Sequence, residues 1–190
     1  MKNIAVCLKL FIVTTLLTGL IYPLFVTLIG QAVFPDSSNG SLLTYNGRVV
    51  GSKLIGQKFD QGKYFWPRPS ATEYNPLPSG GSNLSPTSRQ LAQTAEERKQ
   101  KLLLANPGKT EKDIPADLLS ASASGLDPHI SVAAAKFQVA RIAAARQFDS
   151  AKKDAIIKLI DQLTEGRDFK IFGEKRVNVL RLNVEMDNLH

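Results

Sequence analysis

The chain has 190 residues, of which 43% are hydrophobic and 22% are charged, and its formal net charge is +7. This composition excludes a disordered or collagen-like chain, and the length predicts one soluble domain with an additional segment. One cysteine and two histidines, His129 and His190, exclude an internal disulfide or a cysteine-rich metal centre, and they leave little material for histidine-based catalysis.

The first predicted element is a long apolar helix. Residues 10–35 carry no charge, and about 20 apolar residues suffice to cross a bilayer core of about 30 Å. The apolar region of a secretory signal peptide is shorter, about 7–15 residues. We therefore expect an uncleaved transmembrane helix over residues 10–34, with Tyr22 and Pro23 inside it. Because this helix contains no acidic residue, we do not expect it to hold a transported cation.

The charges beside this helix predict its orientation. Lys2 and Lys9 precede it, and the next basic residue is Arg48. Since positive charge favours the cytoplasmic side, residues 1–9 are predicted to be a short cytoplasmic N-terminus and residues 35–190 an extracytoplasmic α+β domain. Basic residues outnumber acidic ones only slightly in that domain, which indicates a solvated surface and no nucleic-acid partner.

The domain is predicted to begin with a β-hairpin and a long ordered loop. Asn46-Gly47 is the preferred two-residue hairpin turn, and it lies between residues 42–45 and 48–50. Residues 51–84 are rich in glycine and proline, but they also contain aromatic side chains that a flexible linker would not need. The aromatic residues are Phe59, Tyr64, Phe65, Trp66 and Tyr74. Arg68 and Glu73 either pair within this loop or face water.

Two helices are predicted in the middle of the domain. Ser85 is expected to cap a helix that has Pro86 at its first position and continues to Leu102, with residues 96–101 on a solvated face. A second helix is expected to start at Ser131, because apolar residues recur after it at helical spacing.

The C-terminal part predicts a third helix and one ambiguous segment. Ser150 is expected to cap the third helix, which should end before Gly166. Residues 180–186 alternate as they would in a strand, whereas Asn178 is equally suited to cap a short helix. The sequence leaves both alternatives open.

A glycine-containing stretch at residues 79–83 is the strongest candidate for ligand binding. Adjacent glycines allow backbone N–H groups to approach an anion, and hydroxyl and amide side chains can add hydrogen bonds. No GxxxxGK[ST] motif follows, so this is not a P-loop. The alternative interpretation is a turn that leads into the helix near Ser85. The stretch consists of Ser79, Gly80, Gly81, Ser82 and Asn83.

Residues 120–129 contain Ser124, Asp127 and His129. A catalytic triad needs side chains that converge from separate segments, so the simpler prediction here is a turn before the second helix. Neither these residues nor Glu96, Glu97 and Asp113 show the spacing of a metal site. We predict no catalytic residue and no metal ligand.

Several blocks resemble the C subunit of the bacterial potassium-transporting Kdp P-type ATPase, the KdpC family. In chain order they are Tyr22-Pro23, Asn-Gly-Ser-Leu at 39–42, Gly-Ser-Lys-Leu-Ile-Gly-Gln at 51–57, Phe-Trp-Pro-Arg-Pro-Ser-Ala-Thr at 65–72, Tyr-Asn-Pro at 74–76, Ser-Gly-Gly-Ser-Asn-Leu at 79–84, and the stretches 120–130 and 176–180. The resemblance covers essentially the whole chain.

The resemblance implies a non-catalytic subunit of an ATP-driven potassium importer in the bacterial inner membrane. Besides membrane lipid, the implied partners are a channel-like potassium-translocating subunit, an ATP-hydrolysing P-type subunit and a very small stabilising subunit. The family is described as a catalytic chaperone that raises the ATP affinity of the ATP-hydrolysing subunit. Its equivalent of residues 79–83 is compared with the nucleotide-contacting signature of ABC transporters, although Ser82 stands where that signature has glutamine.

The predicted topology conflicts with direct contact between residues 79–83 and ATP, because ATP is cytoplasmic and a bilayer core of about 30 Å intervenes. We therefore expect an indirect influence on ATP affinity, no covalently bound cofactor, and ATP only through the ATP-hydrolysing subunit. The aromatic loop and Arg68 are predicted to form a docking surface, since aromatic residues and arginine anchor protein interfaces. Two alternatives are a free-standing membrane-anchored envelope hydrolase, with Ser79 or Ser124 as its nucleophile, and an extracellular binding module.

Overall fold

A computed structural model describes residues 2–189, so Met1 and His190 lie outside the described residues, as does the side chain of Lys2. The chain divides into two compact units, residues 1–42 and residues 43–190. The predicted boundary between residues 34 and 35 and the predicted side of the membrane for each part remain predictions.

The N-terminal unit is a helical rod. Helix α1 (Lys2–Leu16) continues through a π-helical turn (Leu17–Ile21) into α2 (Tyr22–Val33), and the short helix α3 (Pro35–Ser38) follows. Residues Asn3–Val33 are long and apolar enough to cross a membrane, and their apolar side chains are exposed, unlike those of a core helix in a soluble protein. These properties match the predicted transmembrane helix.

The π-helical turn has an identifiable cause in Pro23. Proline has no backbone N–H, so it cannot donate to the carbonyl of Gly19 one turn earlier. The helix widens at this point, and the Tyr22 N–H donates to the carbonyl of Leu17. The Thr27 hydroxyl donates to the Pro23 carbonyl at 2.8 Å. Tyr22 and Pro23 therefore mark a local irregularity in the span.

Two small sheets lie in the second unit. Strands β1 (Leu42–Tyr45) and β2 (Arg48–Ser52) form the predicted hairpin. Asn46 and Gly47 have φ angles of 49° and 73°, as this two-residue turn requires. The second sheet is antiparallel, in the order β3 (His129–Ser131), β5 (Arg176–Asn178) and β4 (Thr164–Glu165).

Four helices complete this unit: α4 (Arg89–Ala105), α5 (Val132–Ala145), α6 (Ser150–Leu163) and α7 (Val179–Asp187). Helix α5 packs against α6, α6 packs against α7, and all three contact β5. Two short 3-10 helices, Glu111–Asp113 and Ala116–Leu118, follow α4. The predicted fold class, an N-terminal membrane helix and a small α+β domain, is confirmed.

The core lies between α5, α6, α7 and the three-stranded sheet, with additional side chains from the long loop and α4. Its buried apolar residues are Phe65, Leu102, Leu118, Ile130, Ala134, Ala135, Phe137, Val139, Ile142, Ile156, Ile160, Val177, Val179, Leu182 and Met186. Helix α5 contributes the largest share because apolar residues recur along it at helical spacing, as the sequence predicted. Ser131 is its N-cap and accepts a hydrogen bond from the Ala134 N–H at 3.0 Å.

The predicted start of α4 is wrong. Ser88 is its N-cap and accepts a hydrogen bond from the Leu91 N–H. The Ser85 carbonyl accepts a hydrogen bond from the Ser88 N–H at 2.9 Å, and the Ser85 hydroxyl lies 2.9 Å from the Thr87 hydroxyl. Residues 85–88 therefore form a separate turn before the helix. The predicted solvated face of α4 is also interrupted, because Arg98 points inward and donates to the Leu119 carbonyl at 2.8 Å.

Two further helix starts are settled by cap hydrogen bonds. Asp149, and not Ser150, caps α6 by accepting from the Lys152 N–H at 2.8 Å. Asn178 caps α7 by accepting from the Arg181 N–H at 3.0 Å. Residues 180–186 are therefore helical, so the second of the two predicted alternatives is the observed one.

Candidate functional site

The long loop and residues 120–129 form one contact region, which we call the loop junction (residues 51–84 and 120–129). Its backbone hydrogen bonds run from Gly56 N–H to the Leu126 carbonyl (2.8 Å), from Ser122 N–H to the Pro69 carbonyl (3.0 Å) and from Gly80 N–H to the Ser124 carbonyl (3.0 Å). The two polar stretches that the sequence singled out therefore lie side by side.

Close packing explains two glycines of the loop junction. Gly125 has a φ angle of +71°, and a Cβ atom there would lie 2.6 Å from Thr72 Oγ1 and 2.8 Å from the Gly80 carbonyl oxygen. A Cβ atom at Gly56 would lie 2.6 Å from the Asp127 carbonyl oxygen. Larger residues at these positions would separate the two stretches.

A charged cluster lies at one end of the loop junction. Arg68 Nη1 is 3.0 Å from Asp127 Oδ2, and Asp127 Oδ1 accepts from the His129 N–H at 2.9 Å. The His129 ring lies 3.6 Å from Asp127 and 3.6 Å from Glu165. Burial alone would raise the pKa of Asp127, but hydrogen bonds from His129 and Arg68 and the Arg68 charge outweigh burial and lower this pKa. Of the two alternatives left open for Arg68 and Glu73, pairing with each other is not observed: Arg68 pairs with Asp127, and the exposed Glu73 carboxylate lies 4.0 Å from the Lys58 ammonium.

The predicted docking residues have different environments. Phe65 is fully buried in the core, so its side chain is not part of any exposed surface. The rings of Phe59 and Tyr64 are 5.7 Å apart, and both are half-buried. The Tyr74 hydroxyl donates to the Arg68 carbonyl at 2.6 Å, and burial raises the pKa of Tyr74 to about 12.

Trp66 lies between two parts of the domain. Its indole N–H donates to the Gln61 carbonyl at 3.0 Å, and the guanidinium of Arg141 lies 4.1 Å from the ring centroid. The ammonium of Lys101, on α4, lies 5.2 Å from the same centroid. The electron-rich face of the ring attracts both cations. Trp66 therefore connects α4 and α5 through the loop.

Two amide side chains pair with the loop backbone, and the sequence analysis missed them. Gln138 accepts from the Trp66 N–H at 2.8 Å and donates to the Trp66 carbonyl at 3.1 Å. Asn183 accepts from the Phe65 N–H at 2.8 Å and donates to the Phe65 carbonyl at 3.1 Å. We call these two pairings the amide clamps. The only available signal was a polar residue within the apolar stripe of a helix.

Arg141 extends the clamp of Gln138. It is buried, and it donates to the carbonyls of Gly62 and Tyr64 and to Gln138 Oε1. Burial lowers the pKa of Arg141 to about 10. Side chains of α5 and α7 thus make the hydrogen bonds to the backbone of this loop segment that a neighbouring strand would make in a sheet.

A cleft of about 260 Å³ opens between the long loop and α4. Its lining combines aromatic and proline rings with charged side chains. The rings are those of Phe59, Trp66, Pro67, Pro69 and Tyr74, and the charged residues are Lys58, Asp60, Glu73, Arg98 and Lys101. This is the part of the predicted docking surface with a concave shape.

The glycine-containing stretch is partly committed to packing. The Gly80 N–H already donates to the Ser124 carbonyl, whereas Ser79, Ser82 and Asn83 are exposed. Helix α4 begins only at Arg89, so these residues do not lie at a helix N-terminus. Nucleotide contact by residues 79–83 remains an implication of the family resemblance that the predicted topology opposes.

The hydrolase alternative gains no support from the geometry. Ser124 Oγ accepts from the Leu126 N–H at 3.1 Å, and the His129 ring faces the carboxylates of Asp127 and Glu165. Within residues 2–189, no group of three or more His, Cys, Asp or Glu side chains is arranged to hold a metal ion.

These features define a class: a small α+β domain with a long loop packed on its surface, preceded by an apolar helix that is long enough to cross a membrane. The family described as "KdpC: K+-transporting ATPase, c chain" matches residues 4–188. This chain belongs to that family, which confirms the resemblance.

Relatives from several bacteria agree with this assignment. The chain is 51% identical over 181 residues to the "Potassium-transporting ATPase KdpC subunit" of Burkholderia orbicola (strain MC0-3), covering 94% of this chain and 92% of the relative. It is 50% identical over 193 residues to the protein of that name from Geotalea uraniireducens (strain Rf4), covering 100% and 99% of the two chains. The protein of that name from Methylococcus capsulatus (strain ATCC 33009 / NCIMB 11132 / Bath) is 48% identical over 185 residues, covering 96% and 95%.

Proposed function

We propose that this chain is a non-catalytic subunit of a bacterial potassium-transporting P-type ATPase, needed for assembly and stability of the complex. The observation that carries this proposal is the family match over residues 4–188, together with about half identity to named KdpC subunits over nearly their whole length. The partners are a channel-like potassium-translocating subunit, an ATP-hydrolysing subunit and a very small stabilising subunit.

The domain acts, in this proposal, as an external cap on the potassium entrance of the channel-like subunit. The N-terminus is cytoplasmic, as Lys9 and Lys2 favour, and the domain is extracytoplasmic. The cleft between the long loop and α4 supplies the docking surface, because its half-buried aromatic rings and charged side chains include the residue types that anchor interfaces.

The effect on ATP is indirect. An extracytoplasmic domain cannot contact cytoplasmic ATP across a bilayer core of about 30 Å. The chain therefore raises the ATP affinity of the ATP-hydrolysing subunit by stabilising a conformation of the complex that binds ATP better, which is the form that coupling between separate sites takes.

The decisive experiment is a topology measurement on the intact complex in sealed vesicles. Ser82 is exposed, so a Ser82→Cys variant in a Cys7→Ser background presents one accessible thiol. A membrane-impermeant thiol reagent should label it from the extracytoplasmic side. Labelling only from the cytoplasmic side would contradict the proposed cap and would support direct contact between residues 79–83 and nucleotide.

The docking surface has its own test. Lys58 lies on the cleft rim with 59% of its side chain exposed, and Lys58→Glu should reduce co-purification with the channel-like subunit. Lys153→Glu, on the exposed side of α6, is the matched control and should leave recovery unchanged. Equal recovery of both variants would argue against docking through this cleft.

A further inference from the structure

The turn between β4 and β5 carries an unusual group of exposed apolar side chains. Phe169, Ile171 and Phe172 are 88%, 70% and 65% exposed. Contiguous apolar side chains on a soluble surface indicate a contact with a lipid or a protein. We call residues 169–172 the apolar tip.

The backbone conformation supports a role for the side chain of Phe169. Phe169 and Lys170 have φ angles of 53° and 64°. In this left-handed region a bulky residue is disfavoured and glycine or asparagine is common. A phenylalanine at such a position brings a large exposed ring at a conformational cost, which stability alone does not explain.

Four backbone N–H groups of the turn are paired within the turn itself. Asp168 N–H donates to the Phe172 carbonyl and Phe172 N–H donates to the Asp168 carbonyl, both at 2.9 Å. Lys170 N–H donates to the Arg167 carbonyl at 3.0 Å, and Ile171 N–H donates to the Asp168 carbonyl at 3.1 Å. These hydrogen bonds within the turn lower the free-energy cost of moving the N–H groups from water into lipid, because lipid offers no hydrogen-bond partner to an unpaired backbone N–H.

The charges around the apolar tip match an anionic surface. Arg167 pairs with Glu174, and Arg176 pairs with Asp168 at 3.2 Å, so these ion pairs brace the base of the turn. Lys170 and Lys175 add positive charge, and because Arg176 also pairs with Glu165 at 3.1 Å, residues 165–176 carry a net charge of +1. Basic side chains next to a bilayer gain free energy from anionic headgroups, and long lysine side chains can reach them from a shallow depth.

The membrane helix keeps the domain close to a bilayer. Residues 34–42 connect the span to the domain, and a chain of that length reaches at most about 30 Å. A tether of this kind raises the effective concentration of the domain at the membrane. A small apolar contact then suffices to hold the tip at the bilayer.

We propose that the apolar tip inserts into the headgroup region of an anionic bilayer on the side of the domain, as a second membrane contact beside the span. Phe169, Ile171 and Phe172 enter the interface, while Lys170 and Lys175 contact lipid phosphates. This inference requires the membrane helix but does not depend on the proposed role in the ATPase complex.

The test uses the full chain alone, reconstituted into phosphatidylglycerol-containing vesicles. A spin label is attached to Phe169→Cys in a Cys7→Ser background, and its collisions with lipid-soluble oxygen are compared with its collisions with a water-soluble nickel chelate. Leu104→Cys is the matched control, since Leu104 is 83% exposed and lies outside the tip. We expect the oxygen-to-nickel ratio to be several-fold higher at residue 169 than at residue 104.

Two further measurements decide between lipid and other contacts. The ratio at residue 169 should fall when Lys170→Glu and Lys175→Glu are added or when the vesicles lack anionic lipid. Equal ratios at residues 169 and 104 in the vesicles would overturn the proposal. A label that is protected from both reagents, and only when the other ATPase subunits are present, would identify a protein pocket and would overturn it as well.

Discussion

At the scale of single residues, the loop is held by side chains that replace a missing strand. Gln138 is fully buried, and its amide pairs with both backbone groups of Trp66 while also accepting from Arg141. A buried backbone group that loses its partner costs free energy because no water replaces the bond. The stability of the loop should therefore depend on individual amide side chains.

Gln138→Leu tests this dependence. Leucine leaves the N–H and carbonyl of Trp66 and one donor of Arg141 unpaired, so we expect the free energy of unfolding to fall by about 2–4 kcal/mol. Gln100→Leu, at an exposed position of α4, should change it by less than about 0.5 kcal/mol. Denaturant unfolding of the full chain in detergent measures both. A neutral Gln138→Leu would show that the clamp contributes little.

A second prediction concerns acid stability. The pKa of Asp127 is lowered in the folded chain, so the folded state keeps this carboxylate charged at pH values where the unfolded chain already binds a proton. Its contribution to stability is thus complete above an unfolded-state pKa of about 4 and is lost as the pH falls through the folded pKa.

Asp127→Asn should therefore lower the free energy of unfolding by about 1–3 kcal/mol at neutral pH, and the difference from the unmodified chain should shrink below about pH 4. Asp154→Asn, at an exposed position of α6, should show no such pH-dependent difference. Denaturation followed across a pH series checks both variants. A difference that stays constant with pH would assign the effect of Asp127 to packing and not to charge.

At the scale of elements, local sequence patterns predicted the helices and the hairpin, but they did not predict an exact helix start or contacts between distant segments. The hairpin at Asn46-Gly47 and helix α5 follow from a turn signal and from apolar spacing, and both were predicted. The predicted start of α4 was wrong because Ser85 and Ser88 are both suitable N-caps. Residues 85–88 form a separate turn, so the helix begins after Ser88. The amide clamps were missed because side chain–backbone pairing between distant segments leaves no local pattern.

The cap of α4 can be tested directly. Ser88→Ala removes the hydrogen bond to the Leu91 N–H and should destabilise the domain by about 1 kcal/mol. Ser85→Ala should have an effect of only a few tenths of a kcal/mol, because Ser85 lies in the preceding turn. Thermal unfolding of the two variants gives the comparison. A larger effect at Ser85 would restore the sequence-based start of the helix.

The loop junction offers a matched pair of glycines. Gly125→Ala places a Cβ atom 2.6 Å from Thr72 Oγ1 at a positive φ angle, whereas nothing lies within 4 Å of a Cβ atom at Gly80. We expect Gly125→Ala to destabilise the domain by about 2–4 kcal/mol and Gly80→Ala to be tolerated. Unfolding measurements on both variants check this. Similar losses at the two positions would show that the close approach at Gly125 does not limit packing.

At the scale of the whole molecule, the sequence predicted the membrane helix, the fold class and the family, because each depends on composition or on long stretches of residues. It did not predict which residues of the long loop face inward. Phe65 looked like the other aromatic residues of the loop, yet it is in the core, because burial depends on contacts with α5 and α7 that are distant in the sequence.

The order of the loop should be visible in hydrogen exchange. Phe65 and Trp66 belong to no helix or strand, but their N–H groups donate to buried side chains. We expect these amides to exchange on the slow time scale of the core helices, and the exposed residues 82–83 to exchange rapidly. Mass spectrometry of the exchanged full chain would measure both segments. Rapid exchange at residues 65–66 would mean that the loop opens independently of the core.

The amide clamps also restrict how this protein can change in length. Gln138 pairs with both backbone polar groups of Trp66, and Asn183 pairs with both backbone polar groups of Phe65, so the two clamps hold neighbouring residues of the chain. Adding or deleting one residue between Gly62 and Trp66 would shift the chain, so that Arg141 could not hold the Gly62 carbonyl while the amide clamps hold Phe65 and Trp66. Insertions should therefore be tolerated in the exposed stretch near Ser82 but excluded from residues 62–66, so this short segment of the loop has a fixed length even though it lies in no strand or helix.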